Sequence, residues 1–269
     1  MIRDITIGQY YATDSVIHRL DPRVKVVGTL AYLISLFCFN KFSGYIIAAL
    51  FFAILVKISH VPFKFMVKGL KPIMFMLIFT AALNLFWTPG EVVLVKACVF
   101  TITLEGVKRS VFMALRLTFL IIGSSLMTLT TTPNQLTDAL EKLLKPLNKI
   151  KVPVHEIAMM MSIALRFIPI LVDETDKIMK AQMARGADFE SGNVIQRIKA
   201  MLPILIPLFI SAARRANDLA LAMDARCYHG GEGRTKMKPL KYKKQDVIAY
   251  LTVAAYAVVL GVVVKFSVF

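Results

Sequence analysis

Acidic residues are scarce in this 269-residue chain, with 17 Asp+Glu against 33 Lys+Arg and a formal charge of +16. Charged residues of either sign make up only 19% of it and hydrophobic ones 57%, which lies outside the composition of soluble domains. Cysteines are few: Cys38, Cys98 and Cys227 lack metal-ligand spacing. Their odd number, with two in apolar stretches, points to free thiols rather than a disulfide scaffold. The four histidines, His18, His60, His155 and His229, are scattered, which excludes a zinc-binding helix. No Gly-x-x-x-x-Gly-Lys-Ser/Thr loop is present, so ATP binding through a P-loop is excluded. The opening MIRDITIGQYYATDSVIHRLDPR is too polar and too long for a cleavable signal peptide. The first apolar segment is therefore expected to stay as an anchor.

What is present comes in apolar blocks long enough to enter or cross a bilayer. Four spans are expected over 1–130, at 24–39, 44–59, 70–87 and 106–130. Both members of the first pair are short, which suits a tight hairpin or shielding by neighbouring helices. Lys57, Lys64, Lys68 and Lys71 cluster in one loop and place it on the cytoplasmic side. Trp87 followed by Thr-Pro-Gly reads as an interfacial exit and a turn. The β-branched VVLVKACVFTIT (92–103) is too short to cross and reads as an interfacial or hairpin-like part of an extracellular segment near 88–105. Lys108 and Arg109 at the outer end of the fourth span run against the positive-inside trend. Arg116, within that span, is either satisfied internally by packing or snorkelling. A further span is expected at 247–266, within a C-terminal region 245–269.

Between 131 and 244 the character changes: residues 141–244 hold 19 Lys+Arg and 10 Asp+Glu. TTPNQLTDALEKLLKPLNKI reads as a capped amphipathic helix with Leu136, Leu140, Leu143, Leu144 and Leu147 on one stripe. Two blocks then share one plan. VHEIAMMMSIALRFIPILVDETDKIMKAQMARG and IQRIKAMLPILIPLFISAARRANDLALAMDARC each begin apolar and end charged. Both are expected to be long helices whose apolar halves meet the membrane or other helices while their charged ends reach the cytoplasm. If both crossed fully, the chain would have seven spans. The glycine-rich HGGEGRTKMK (229–238) lacks the flanking strand and helix of a phosphate site and reads as a flexible basic turn.

No catalytic constellation is visible, and no cofactor or metal is expected. The basic excess is assigned to topology, not to nucleic acid. Ser124 and Ser125 suit interhelical packing. Two echoing endings remain, Ala184-Arg185-Gly186 and Ala225-Arg226-Cys227. One reading is ordinary capping, with arginine at a negative helix end and glycine as C-cap. The other is docking, since an arginine offered at a helix tip makes charge-assisted bonds to a partner's carboxylate. The nearby methionines supply adaptable apolar surface for a moving interface.

GQYYATDSVIHRLDPRVK, LTTTPNQLTDALEKLLKPL, MSIALRFIPIL, the Ala-Arg-Gly motif and AMDARCYHGGEGRTKMK occur in this order. As an ordered set over essentially the whole chain, they resemble the transmembrane T component of energy-coupling factor transporters (EcfT/CbiQ-like). The resemblance implies an all-α polytopic membrane protein of the bacterial cell membrane, with about five core transmembrane helices and long cytoplasmic coupling helices. It implies a non-catalytic subunit of an ATP-driven importer for vitamins or metal ions. Its implied partners are two ATP-binding cassette subunits and a membrane-embedded substrate-binding S component. Residues Ala184, Arg185, Gly186, Ala225, Arg226 and Cys227 would then be the ATPase-docking tips. Cys227 departs from the glycine usual there, and cysteine is less free to adopt positive φ. The contact surface for the S component would include Leu136, Leu140, Leu144 and the apolar stretches 157–171 and 201–210. The alternatives are a secondary transporter with its own central site, for which Arg116, Arg166 and the prolines at 169, 203 and 207 speak, and an intramembrane enzyme, which lacks any His/Asp or metal constellation.

Overall fold

The computed structural model describes residues 10–88, 93–97, 100–187, 189, 193–231, 237 and 239–266. They divide into two compact units, one within Leu140–Pro239 and one within Gly8–Ala139 and Leu240–Phe269. Helix dominates both, with one short hairpin.

In the second of these units, Ser15 caps α1 (Val16–Arg19), its side chain accepting from the His18 amide. Asp21 at the N-cap and Pro22 behind it start α2 (Pro22–Ser35), the preferred order for a helix N-terminus. α3 (Phe42–Ser59) follows. α4 (Phe63–Lys68) leads through a 3-10 turn at Lys71–Ile73 into α5 (Met74–Trp87). Strands β1 (Val93–Ala97) and β2 (Phe100–Thr103) pair antiparallel, with Val93 opposite Thr103, giving the hairpin expected for 92–103; Cys98 lies outside the described residues. α6 (Leu104–Thr130) returns, capped by the Thr103 side chain, and α10 (Lys244–Phe266) closes the unit.

The core joins α2, α3, α6 and α10 through Tyr32, Leu36, Tyr45, Phe52, Ile122, Leu126 and Tyr256. Phe51 stacks on Tyr256 at 4.2 Å. Tyr32 presses on α6 so closely that a Cβ at Gly123 would lie 2.7 Å from its Cε1. Arg116 is held internally through one nitrogen: its Nη2 donates to the Phe39 carbonyl at 3.1 Å and to Asn40 Oδ1 at 2.6 Å, clamping the turn between α2 and α3. Its buried Nε has no hydrogen-bond partner among the described residues.

α7 (Pro133–Leu144) begins in a capping box. The Thr132 amide donates to Gln135 Oε1 at 3.2 Å and the Gln135 amide to Thr132 Oγ1 at 3.4 Å. A 3-10 turn at Lys145–Ile150 leads to α8 (Val154–Ala184), and α9 (Val194–Asp224) follows. Much of the apolar surface of these two long helices is open, including Met160 and Met161 on α8 and Leu202, Leu205 and Phe209 on α9.

Among the described residues five helical stretches are long and apolar enough to cross a membrane: Phe42–Ser59, Phe63–Trp87, Leu104–Thr130, Val154–Ala184 and Lys244–Phe266. The number agrees with the expectation, but the membership differs. The apolar run at 24–39 is helical only to Ser35, and the 14 residues of α2 rise ~21 Å, short of a hydrocarbon core of about 30 Å. Phe39 turns inward there and packs on Gly44, where a Cβ would come 2.4 Å from its Cδ2. The stretch expected at 70–87 begins earlier, at Phe63, because α4 takes up part of the lysine-rich loop. Conversely α8, expected as a coupling helix, has a span-like apolar half. In α9 the apolar stretch between Lys199 and Arg214 has only 14 residues.

Candidate functional site

α8 and α9 have the same length, 31 residues, and they stop in the same way. At the end of α8 the Gly186 amide donates to the Met183 carbonyl at 2.9 Å and the Ala187 amide to that of Gln182 at 3.0 Å. At the end of α9 the Cys227 amide donates to Asp224 at 2.9 Å and the Tyr228 amide to Met223 at 3.1 Å. Both pairs are the nested bonds of a Schellman cap, which satisfy carbonyls left over at a helix end. The residue that closes each cap has positive φ, +89° at Gly186 and +54° at Cys227. Cysteine therefore adopts the left-handed backbone that the glycine has at the other tip, at a cost of about 1–2 kcal/mol for an L-residue. The departure at Cys227 leaves the shape of the ending unchanged.

The arginines hold equivalent places, each one residue before the left-handed position. Ala184, Arg185, Gly186, Ala225, Arg226 and Cys227 are all exposed. Among the described residues neither guanidinium has an ion-pair partner. Each lies where the unsatisfied carbonyls of a helix C-terminus favour a cation, with its planar donor fork turned over to solvent and free for a carboxylate.

Two contacts organise the rest of this unit. Arg215 Nη2 on α9 donates to Glu174 Oε2 on α8 at 3.2 Å. Gly231, beyond the second tip, lies over the His155 ring at the start of α8, where a Cβ would fall 2.4 Å from Cδ2. His155 Nδ1 is in turn 3.0 Å from Glu141 Oε1. Most of the basic turn at 229–238, residues 232–236 and 238, lies outside the described residues.

Sequence reasoning missed a polar cluster in the other unit. Buried Asp246 accepts from the Asp21 amide at 2.8 Å and the Lys243 amide at 2.7 Å, so one carboxylate ties together the starts of α2 and α10. Asp21 holds Arg23 at 3.0 and 2.7 Å, and the Arg23 guanidinium lies 3.8 Å above the Tyr242 ring. Burial opposes ionisation of Asp21, but the bonds and charge of Arg23 outweigh it and hold the carboxyl below its usual range. Lys25 Nζ donates to the carbonyls of Thr130 at 2.8 Å and His18 at 3.2 Å. His18 Nε2 is 3.1 Å from the Tyr11 carbonyl and its Nδ1 2.7 Å from Ser15 Oγ. The Asp-Pro start of α2 is a visible signal for part of this cluster, while nothing in the sequence around Asp246, just ahead of an apolar run, points to Asp21.

The same unit contains a cavity of about 250 Å³ walled by Val24, Gly28, Tyr32, Phe52, Leu126 and Val253 among others. Its one charged lining residue among those described is Lys25. No group of His, Cys, Asp and Glu among the described residues is arranged to hold a metal ion.

Residues 13–237 match the CbiQ family, described as cobalt transport protein. Curated relatives named energy-coupling factor transporter transmembrane protein EcfT include that of Clostridium kluyveri, 59% identical over 252 residues and 93% of each chain. The EcfT of Ruminiclostridium cellulolyticum is 56% identical over 248 residues and 92% of each chain. That of Bacillus subtilis is 45% identical over 260 residues, covering 97% of this chain and 98% of its own. With five span-length helices among its described residues, this chain is a multi-pass protein of the bacterial cell membrane, and it belongs to the CbiQ/EcfT family of energy-coupling factor transporter transmembrane components.

Proposed function

We propose that the chain is the non-catalytic coupling subunit of an ATP-driven importer for vitamins or metal ions. ATP is hydrolysed by two partner ATP-binding cassette subunits, and Arg185 and Arg226 dock into an acidic groove on each. Movement of the grooves passes along α8 and α9 to a membrane platform that holds a separate substrate-binding S component. Region 1–130 supplies the platform, 131–244 the coupling helices and 245–269 a closing span. The S component rests on the apolar surfaces around Leu136, Leu140, Leu144, 157–171 and 201–210. Substrate is recognised by that component, so this chain is substrate-neutral.

The observation that carries the reading is the matched pair of tips: two helices of 31 residues, each closed by the same cap, each offering an exposed arginine with no ion-pair partner among the described residues. Capping alone accounts for one such ending and leaves the match unexplained. A secondary transporter would need ionisable partners at a central site. The candidates for that role are otherwise engaged or placed: Arg116 is bound to the α2–α3 turn, Arg166 is exposed, and Lys25 is bonded to two carbonyls.

Co-purification of the chain with its ATPases, and ATP-driven uptake in proteoliposomes, test this. The Arg185→Ala, Arg226→Ala double variant should lose both. Normal assembly and uptake in that variant, or uptake by the chain with no ATPase present, would sink the proposal.

A further inference from the structure

Glu174 and Arg215 stand in equivalent places on their two helices. Each lies eleven residues before the arginine of its tip, Arg185 or Arg226, so each tip reaches ~16 Å beyond the contact along its own axis. Each also lies where its helix changes character. In α8 the stretch Ile157–Val172 is apolar or small apart from Ser162 and Arg166 and is followed by DETDK, and in α9 the stretch from Ala200 to Ala213 is apolar or small apart from Ser211 and is followed by RRAND. Arg215 Nη2 and Glu174 Oε2 are 3.2 Å apart. Their side chains are 39% and 27% exposed, so the pair is partly shielded from water.

We propose that Glu174 and Arg215 form a clasp that fixes the register of α8 against α9 and thereby sets both docking tips at equal reach. Two long helices packed through apolar side chains can slide or roll past one another at little cost, because such contacts are non-directional. A charge-assisted hydrogen bond is directional. A single one at matched positions removes the sliding freedom without stiffening the rest of either helix. Displacement of one tip is then passed to the other helix at this point. Without the clasp it is absorbed by slippage between them. The two are positioning residues, and the proposal rests on the coupling reading given above.

Spin labels on native Cys227 and on an introduced Gln182→Cys, with Cys38 and Cys98 changed to serine, read the distance between the helix ends. The measurement uses the purified full chain without ATPases. One narrow population is expected for the parent and a broader or shifted one for Arg215→Gln and Glu174→Gln. The charge exchange Glu174→Arg with Arg215→Glu should restore the narrow population, as should Arg215→Lys alone. In the assembled transporter the neutral variants should still hydrolyse ATP while uptake per ATP falls roughly two- to fivefold, the range a partly exposed ion pair supplies; the exchange should recover it. An unchanged distance in both neutral variants overturns the clasp. So does failure of both the exchange and Arg215→Lys to restore the distance in correctly folded protein. The distance is read on the chain alone, so failure of the tips to bind ATPases would remove the coupling reading and leave the clasp standing.

Discussion

At the scale of single residues, the two tips separate what the backbone requires from what the side chain offers. Gly186 has nothing within 4 Å of where a Cβ would sit, so its requirement is conformational only. Gly186→Ala should destabilise the end of α8 by about 1 kcal/mol, and Cys227→Gly should firm up the end of α9 by a similar amount. Amide exchange at Ala187 and Tyr228 reads both. Slower exchange in Gly186→Ala would contradict the cap assignment. His18 offers a pH test. Burial lowers its pKa below the ordinary 6.5. Its contribution to stability is therefore complete above that value and is lost as pH falls from there through the depressed folded value. Protonation takes away the lone pair that accepts from Ser15. Limited proteolysis around residues 10–15 should quicken on acidification below pH ~6.5, and His18→Gln should abolish that change; an undiminished pH effect in the variant would assign it to another group. The arginine tips were legible in the sequence because a short motif recurs at the ends of two similarly patterned blocks. The polar cluster of Asp21, Arg23 and Asp246 was not, because Asp246 lies 225 positions from Asp21 and only the fold brings them together.

At the scale of elements, what decides a boundary is often a polar group, which a hydropathy profile does not register. Asp246 serves two helix starts at once, so Asp246→Ala leaves the buried Asp21 amide and the partly exposed Lys243 amide without their acceptor and should cost about 2–3 kcal/mol. Asp246→Asn keeps an acceptor oxygen and should cost less. Thermal unfolding of the purified protein ranks the two, and the reverse order would refute the shared-cap role. Thr132→Ala removes half of the α7 capping box, a loss of about 1 kcal/mol. The hairpin at 93–103, the long helix α6 and the paired helices α8 and α9 follow directly from β-branched content, from the length of apolar runs and from the switch to charged residues. The end of α2 does not, since the apolar run continues through Phe39 while the chain turns to bury that ring. The apolar half of α8 is legible too, but composition alone does not separate a span from a coupling helix in a block that is apolar at one end and charged at the other.

At the scale of the whole molecule, docking through two ends behaves as bivalent binding, in which the second contact is made at high effective concentration. Arg185→Ala or Arg226→Ala alone should weaken assembly with the ATPases by about 10- to 100-fold, as expected for a lost bond to a charged group, while leaving a measurable complex. The double variant should leave none. Titration of labelled ATPase against each variant reads this, and singles as defective as the double would mean that the tips do not act as separable contacts. The equivalence of the two endings also has a consequence for address. Since the peptide groups trace the same cap at both ends, a pair of unlike sockets can tell the ends apart only by what decorates them. The differences are few: Gln182 corresponds to Met223, Met183 to Asp224, Gly186 to Cys227 and Ala187 to Tyr228. Polarity in this otherwise pseudo-symmetric pair therefore resides in a handful of side chains, and an acid precedes the arginine at one ending, Asp224, where the other has Met183.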